Sequence, residues 1–294
     1  MGQLALLLLI VTYFAFASAR FVLTLRRWQQ NRAQAVLLAA TLLVPYLLVV
    51  QPNATPATWE GIARMAIYIL LPTLVLLCRP ARSNPLDLYD LVAIIALWFP
   101  IEFDWLPEAS VVVSGVGLPI PKLTAICLGF FLFLVLRPLD RLGYSYKLGL
   151  GDVKYALIAL AGFAIIGMPL GIAMGFIQPG FTDFNPIDWL VKFIAIYFVT
   201  AVPEELLFRG VIQNLIEQRL GRNWLALGIA AIIFGISHLN NTTAHHAPPN
   251  LPYVIMATIA GLAYGWAWRK SEKITASAIT HTLVNFVWGV VFKS

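Results

Sequence analysis

Charge is scarce in this chain. Of 294 residues only 12% are Asp, Glu, Lys or Arg, against about a quarter in soluble domains. A surface facing water on all sides cannot be covered at that density, which excludes an ordinary soluble globule. Period-2 alternation in ~10-residue pieces is also missing, which excludes a membrane β-barrel. Cysteine is nearly absent. Cys78 and Cys127 both lie inside apolar runs and read as packing residues rather than a disulfide or metal pair. No internal repeat is visible, which argues against a transporter built from duplicated halves. The first apolar segment, Gly2 to Ser18, has no basic residues ahead of it and is expected to stay in the membrane as a helix rather than act as a cleaved signal.

What is abundant is apolar surface. Hydrophobic residues make up 60% of the chain and the mean hydropathy is +0.81. Apolar runs fall at roughly 3–19, 35–50, 62–78, 88–101, 118–136, 153–177, 187–202 and onward, 223–239, 251–268 and 274–292. Most approach the ~20 residues that span a ~30 Å hydrocarbon core. The expected fold class is therefore all-α: a polytopic transmembrane helical bundle with about 8–10 membrane helices.

The net charge of +6 suits membrane orientation better than nucleic acid, because the basic residues sit between hydrophobic segments. Loops carrying Arg20, Arg26, Arg27 and Arg32, then Arg79 and Arg82, then Arg137, Arg141 and Lys147 alternate with acidic loops around Glu60, Glu102–Glu108 and Asp183–Asp188. The positive-inside rule puts both termini outside, with Trp28, Trp224 and Trp268 near the inner face and Trp59, Trp105, Trp189 and Trp288 near the outer one. A multi-pass protein of a prokaryotic plasma membrane is the expected location, with the lipid bilayer as its surroundings. The Pro-, Gly- and Asp-containing stretch 178–186 divides the chain into residues 1–180, membrane helices of unassigned role, and residues 181–294, which carry the motifs below.

The first motif is Val202-Pro-Glu-Glu-Leu-Leu-Phe-Arg-Gly210. A charge near the bilayer centre costs at least ~2.5–3.5 kcal/mol, so three together point to function. Pro203 is expected to kink or restart a helix. On a helix from Glu204 to Gln218, Glu205 and Arg209 lie four apart and face each other, leaving Glu204 as the free carboxylate on a neighbouring face. The plainer alternative is a helix end with surface charges, since Glu217, Arg219 and Arg222 lie close by. The second motif is Phe234-Gly-Ile-Ser-His238 and the third His281-Thr-Leu-Val-Asn285, each with its polar ends four apart. Alone, a membrane histidine can be a core residue bonded to a carbonyl, and a His–Asn pair can hold helices together. His245 and His246 read as outer-loop residues beside Asn240 and Asn241. At ~1.5 Å per residue from the basic anchors, straight vertical helices leave the motif residues at unequal depths, so a break at Pro203 or Gly221 or a tilt must bring them together.

In order and spacing the three motifs resemble the type II CAAX prenyl endopeptidase family, also called the Abi or CPBP intramembrane proteases. The family pattern is Glu-Glu-x-x-x-Arg, then Phe-x-x-x-His, then His-x-x-x-Asn. The resemblance covers roughly residues 185–292. It implies that Glu204 acts as general base on a water held with His238. His281 and Asn285 donate to the developing oxyanion, and Glu205 and Arg209 form a supporting pair beside Phe234. It also implies a membrane-associated peptide or protein substrate, with a prenylated CAAX sequence as one candidate, and no nucleic acid. Elementary chemistry agrees: peptide hydrolysis needs a base near water and donors aimed at the tetrahedral oxygen. No cofactor is expected. Zinc held by Glu204, His238 and His281 is the alternative, against which stands the absence of a His-Glu-x-x-His motif on one helix. Two other functions remain open on these residues: a non-catalytic membrane peptide-binding or immunity protein, and a proton-coupled transporter using Glu204 and the histidines as a relay.

Overall fold

Apolar runs fold as helices because a helix satisfies its own backbone groups where water is absent. The computed structural model describes residues 1–50, 55–113, 116–180, 185–243 and 245–293. Each apolar run read from the sequence is helical there. The strands among the described residues form two antiparallel ribbons, Ser110–Val113 (β1) with Val116–Pro119 (β2) and Gln178–Pro179 (β3) with Phe292–Lys293 (β4). The protein is an all-α polytopic helical bundle and an integral membrane protein. Five helices are long and apolar enough to cross a bilayer, or six if a bent N-terminal pair counts as one span. Ile120–Leu136 and Trp224–Ile236 are apolar but shorter.

By compactness the chain divides into Met1–Leu139 and Asp140–Ser294. The first unit contains α1 (Gly2–Ala15), α2 (Ala19–Trp28), α3 (Arg32–Val50), α4 (Pro56–Leu77), α5 (Leu88–Glu102) and α6 (Ile120–Leu136). The sequence predicts a basic loop after the first span. Instead α2 forms at 103° to α1, started by Ser18, whose hydroxyl accepts from the Phe21 N–H. Buried Asp90 pairs with Arg137 (Nε 3.2 Å) and Arg79 (Nε 3.5 Å). Cys127 is buried and Cys78 exposed, and both are free thiols; only the first is a packing residue.

The second unit contains α7 (Leu150–Ala173), a long helix α8 over residues 186–220, α9 (Trp224–Ile236), α10 (Leu251–Ser271) and α11 (Ile274–Val291). The sequence places α7 in the N-terminal half, but it packs on α10 and α11. Close approach of α9 to α10 rests on small residues, as between membrane helices generally. A Cβ at Gly235 would run into Thr258 Oγ1 and the Val254 carbonyl, and one at Gly261 would meet Ala231 and Phe234 at 3.2 Å. That approach brings the end of α9, with Phe234 and His238, beside Tyr264. Two of the tryptophans assigned to the membrane faces also pack within the protein. Trp268 is fully buried with the Arg141 guanidinium 5.5 Å from its ring, and Trp288 lines an internal cavity.

Candidate active site

Helix α8 carries the paired glutamates. Asn185 starts it, its side chain accepting from the Ile187 N–H at 3.1 Å, with Pro186 in the first turn. Pro203, expected to kink or restart the helix, lies inside it. The turns on either side of the glutamates, Ile196–Ala201 and Leu206–Gln213, are π-helical. The N–H of Val202 donates to Tyr197 O and that of Asn214 to Arg209 O, each five residues back. Such turns insert a residue into an α-helix and recur at functional sites. Gly221, at φ +85°, ends α8 and reverses the chain into α9.

Glu204, Phe234, His238, His281 and Asn285 line one cavity of about 140 Å³. Its remaining walls are mostly apolar or aromatic and include Phe163, Met256, Tyr253 and Trp288. Glu205 and Arg209 stand behind it, both fully buried, with Arg209 Nε 3.2 Å from Glu205 Oε2. The division of labour expected from the four-residue spacing is therefore present: Arg209 takes Glu205, and Glu204 faces the cavity.

His281 joins the two carboxylates. Its Nδ1 lies 3.1 Å from Glu205 Oε1 and its Nε2 3.8 Å from Glu204 Oε2. A carboxylate only accepts, so Nδ1 carries the proton and Nε2 is turned toward Glu204. The ring is clamped by Tyr264, stacked at 4.5 Å between centroids and 15° between planes. His238 lies in the turn directly after α9, two residues past Ile236, not within the helix as its spacing from Phe234 suggests. Its Nδ1 bonds Phe234 O at 2.8 Å, which leaves Nε2 as the acceptor. Glu204 Oε2 is buried and has no hydrogen-bond partner among the described residues, while the Glu204 side chain as a whole is one-third exposed. A carboxylate in that state can accept a proton from a molecule entering the cavity.

Among the described residues no group of three or more His, Cys, Asp or Glu converges to hold a metal; Nδ1 of each histidine is engaged, with Glu205 or Phe234 O, and Nε2 of each is the nitrogen left for other partners. His245 and His246 stay in the loop outside the cavity lining, as expected. Asn241, grouped with them by sequence, does line the cavity.

Other residues were not evident from the motifs. Tyr264 and Tyr253 stand in apolar runs full of aromatics, where no signal separates them. Gln213 and Glu217 had one: they continue the four-residue spacing of Glu205 and Arg209. Glu217, placed by its neighbours among surface charges, is instead buried and bound by Arg141 (3.3 Å) and Arg269 (3.3 Å), with Arg222 at 3.8 Å.

Residues 186–287 match the family model for type II CAAX prenyl endopeptidases of the Rce1-like kind. The match covers about a third of the chain and does not extend to residues 1–185. No curated protein and no solved structure matches the chain.

Proposed function

We propose that this protein hydrolyses a peptide bond of a membrane-associated substrate, with Glu204 as the general base and His238 as the group that holds the attacking water. The carrying observation is the cavity itself. Glu204, His238, His281 and Asn285 border one apolar space, and Glu204 presents a buried, unpartnered oxygen there.

In this reading Glu204 takes a proton from water as the water oxygen bonds to the scissile carbonyl carbon. His238 Nε2 accepts the second water hydrogen and fixes its orientation. The tetrahedral oxygen then takes hydrogen bonds from the Asn285 amide and from His281 Nε2, to which Glu204, 3.8 Å away, lends the proton it took from water. Glu204 returns its proton to the leaving nitrogen as the C–N bond breaks, giving a free carboxyl group on one product and a free amine on the other. Glu205 and Arg209 hold the His281 ring from behind. No metal takes part. The matched family supports a membrane-associated peptide as substrate, with a prenylated CAAX peptide as one candidate, whose apolar lipid suits the mostly apolar cavity walls. We place both termini on the outer side, opposite the Arg-rich loops.

The test is cleavage of a prenylated CAAX peptide, beside a panel of unprenylated hydrophobic peptides, by the purified protein in liposomes. Wild type, Glu204→Gln and His238→Ala are compared at matched folding. Loss of cleavage in both variants supports the reading. Cleavage unchanged in both sinks the site. Activity abolished by a chelator and restored only by metal would overturn the metal-free mechanism. Failure of wild type to cut any peptide would favour a peptide-binding protein.

A further inference from the structure

The supporting pair is the top of a longer column. Glu205, Arg209, Gln213 and Glu217 recur every four residues along α8, and all four are buried. Gln213 Nε2 donates to Glu217 Oε1 at 3.0 Å and to the Gly265 carbonyl at 3.3 Å. Two acceptors on one end of the amide fix which end is nitrogen. Gln213 Oε1 therefore faces away from Glu217, and it is buried with no partner among the described residues. One turn above, Arg209 Nη1 and Nη2 are also buried without hydrogen-bond partners there. A buried guanidinium with free N–H groups and a buried carbonyl with free lone pairs are complementary, and leaving both unmet is costly. The Arg209 guanidinium is otherwise met only by the faces of Phe234 (4.7 Å) and Tyr264 (5.8 Å).

The lower end of the column is pinned. Glu217 is held by Arg141 and Arg269 at 3.3 Å each. Helix α10 closes over the middle at Gly265, where a Cβ would collide with Gln213 Oε1 and Leu227 Cδ1. The residue before it, Tyr264, is the one stacked on His281. The amide of Gln213 is thus fixed from below by Glu217 and from the side by Gly265, one helical turn from Arg209.

We propose that Gln213 is a positioning residue for the active site: its Oε1 receives an Arg209 Nη–H, directly or through one water, and so sets the Arg209–Glu205–His281 chain that orients the imidazole toward Glu204. Glu217 acts one step further back by orienting Gln213. The proposal rests on the catalytic reading above for its effect on rate, but not for the contact itself.

Two measurements separate these levels. The contact is read without activity, from side-chain resonances of 15N-arginine-labelled protein, with Arg209 assigned by its loss in Arg209→Lys. Its Nη–H signals should be protected from exchange in wild type, and the protection should fall in Gln213→Met, which has similar size but no acceptor. Equal exchange in both proteins overturns the contact. The effect on rate is read by peptide cleavage. Gln213→Met should lower kcat about tenfold or more, as displacement of a supporting group by a fraction of an ångström does, with KM within about twofold. Leu215→Ala, a buried apolar change in the same helix, controls for simple loss of packing and should leave kcat unchanged at comparable thermal destabilisation. If Gln213→Met and Leu215→Ala lower kcat equally, Gln213 is structural only. If wild type cuts no peptide, the catalytic reading fails and the exchange measurement still decides the contact.

Discussion

His281 Nδ1 lies 3.1 Å from Glu205 Oε1, on the carboxylate whose other oxygen holds Arg209. The two adjacent glutamates are therefore not equivalent. Glu205 is engaged by Arg209 and His281, while Glu204 lines the cavity. Glu204→Gln should abolish peptide cleavage by about 10²–10⁴-fold, the usual contribution of a positioned base, while the unfolding midpoint in detergent stays within a degree or two of wild type. A fall in stability without loss of cleavage would reverse the two roles.

Glu205→Ala should lower stability as well as cleavage. It leaves the guanidinium of Arg209 buried and unneutralised, which costs about 3–5 kcal/mol. The double variant Glu205→Gln/Arg209→Met, which removes the charge on both sides, should recover much of that loss. Reversible unfolding of the single and double variants in mixed micelles reads the difference. No recovery in the double variant would mean that the pair is not coupled.

Tyr264 stacks face to face on the His281 ring at 4.5 Å. Tyr264→Phe keeps the ring and should retain most of the cleavage rate. Tyr264→Ala opens space beside the imidazole and should destabilise by about 3–5 kcal/mol, with a fall in kcat beyond that of Tyr264→Phe. Equal rates for Phe and Ala at this position would show that the stack does not hold His281.

Gly235→Ala drives a methyl group toward Thr258 Oγ1 and the Val254 carbonyl. Overpacking of this kind costs about 1–3 kcal/mol. Adding Thr258→Ala should relieve only part of it, because the carbonyl remains. Full recovery in the double variant would mean that α9 and α10 can separate freely at this point.

Orientation can be read with membrane-impermeant thiol reagents on a Cys78→Ser background. A cysteine at His245 should label from outside in intact cells. One at Arg219 should label only after the membrane is opened. The reverse pattern would invert the proposed topology.

Much of the site was legible because its motifs obey helical spacing. Glu205 and Arg209 lie four apart and do pair. The carboxylate left over, Glu204, does face the cavity with His238, His281 and Asn285. Where spacing misled, the cause is local geometry that a uniform period of 3.6 residues does not contain. Pro203 is expected to kink or restart the helix, and the irregularity found there is a pair of π turns on either side of residues 202–205. His238 stands in the turn after α9 because Ser237 already ends that helix. Glu217 looked like a surface charge because its arginine partners are not its sequence neighbours alone: Arg141 and Arg269 come from elsewhere in the chain. Tyr264 gave no signal at all, since one aromatic among many apolar residues carries no mark of what it stacks on.

The burial of Glu205 has a consequence for how this protein is made. Its imidazole partner lies 76 residues further along the chain. At about 5–20 residues per second, translation delivers His281 some 4–15 s after the carboxylate. Through that interval α8 must reside at the translocon or in the bilayer with part of its polar column uncovered. Membrane insertion of the motif helix is thus expected to be provisional until the last helix arrives. Chains truncated before Ile274 should be held by insertion chaperones or degraded by membrane quality control, even though every residue of the Glu-Glu-x-x-x-Arg motif is already in place.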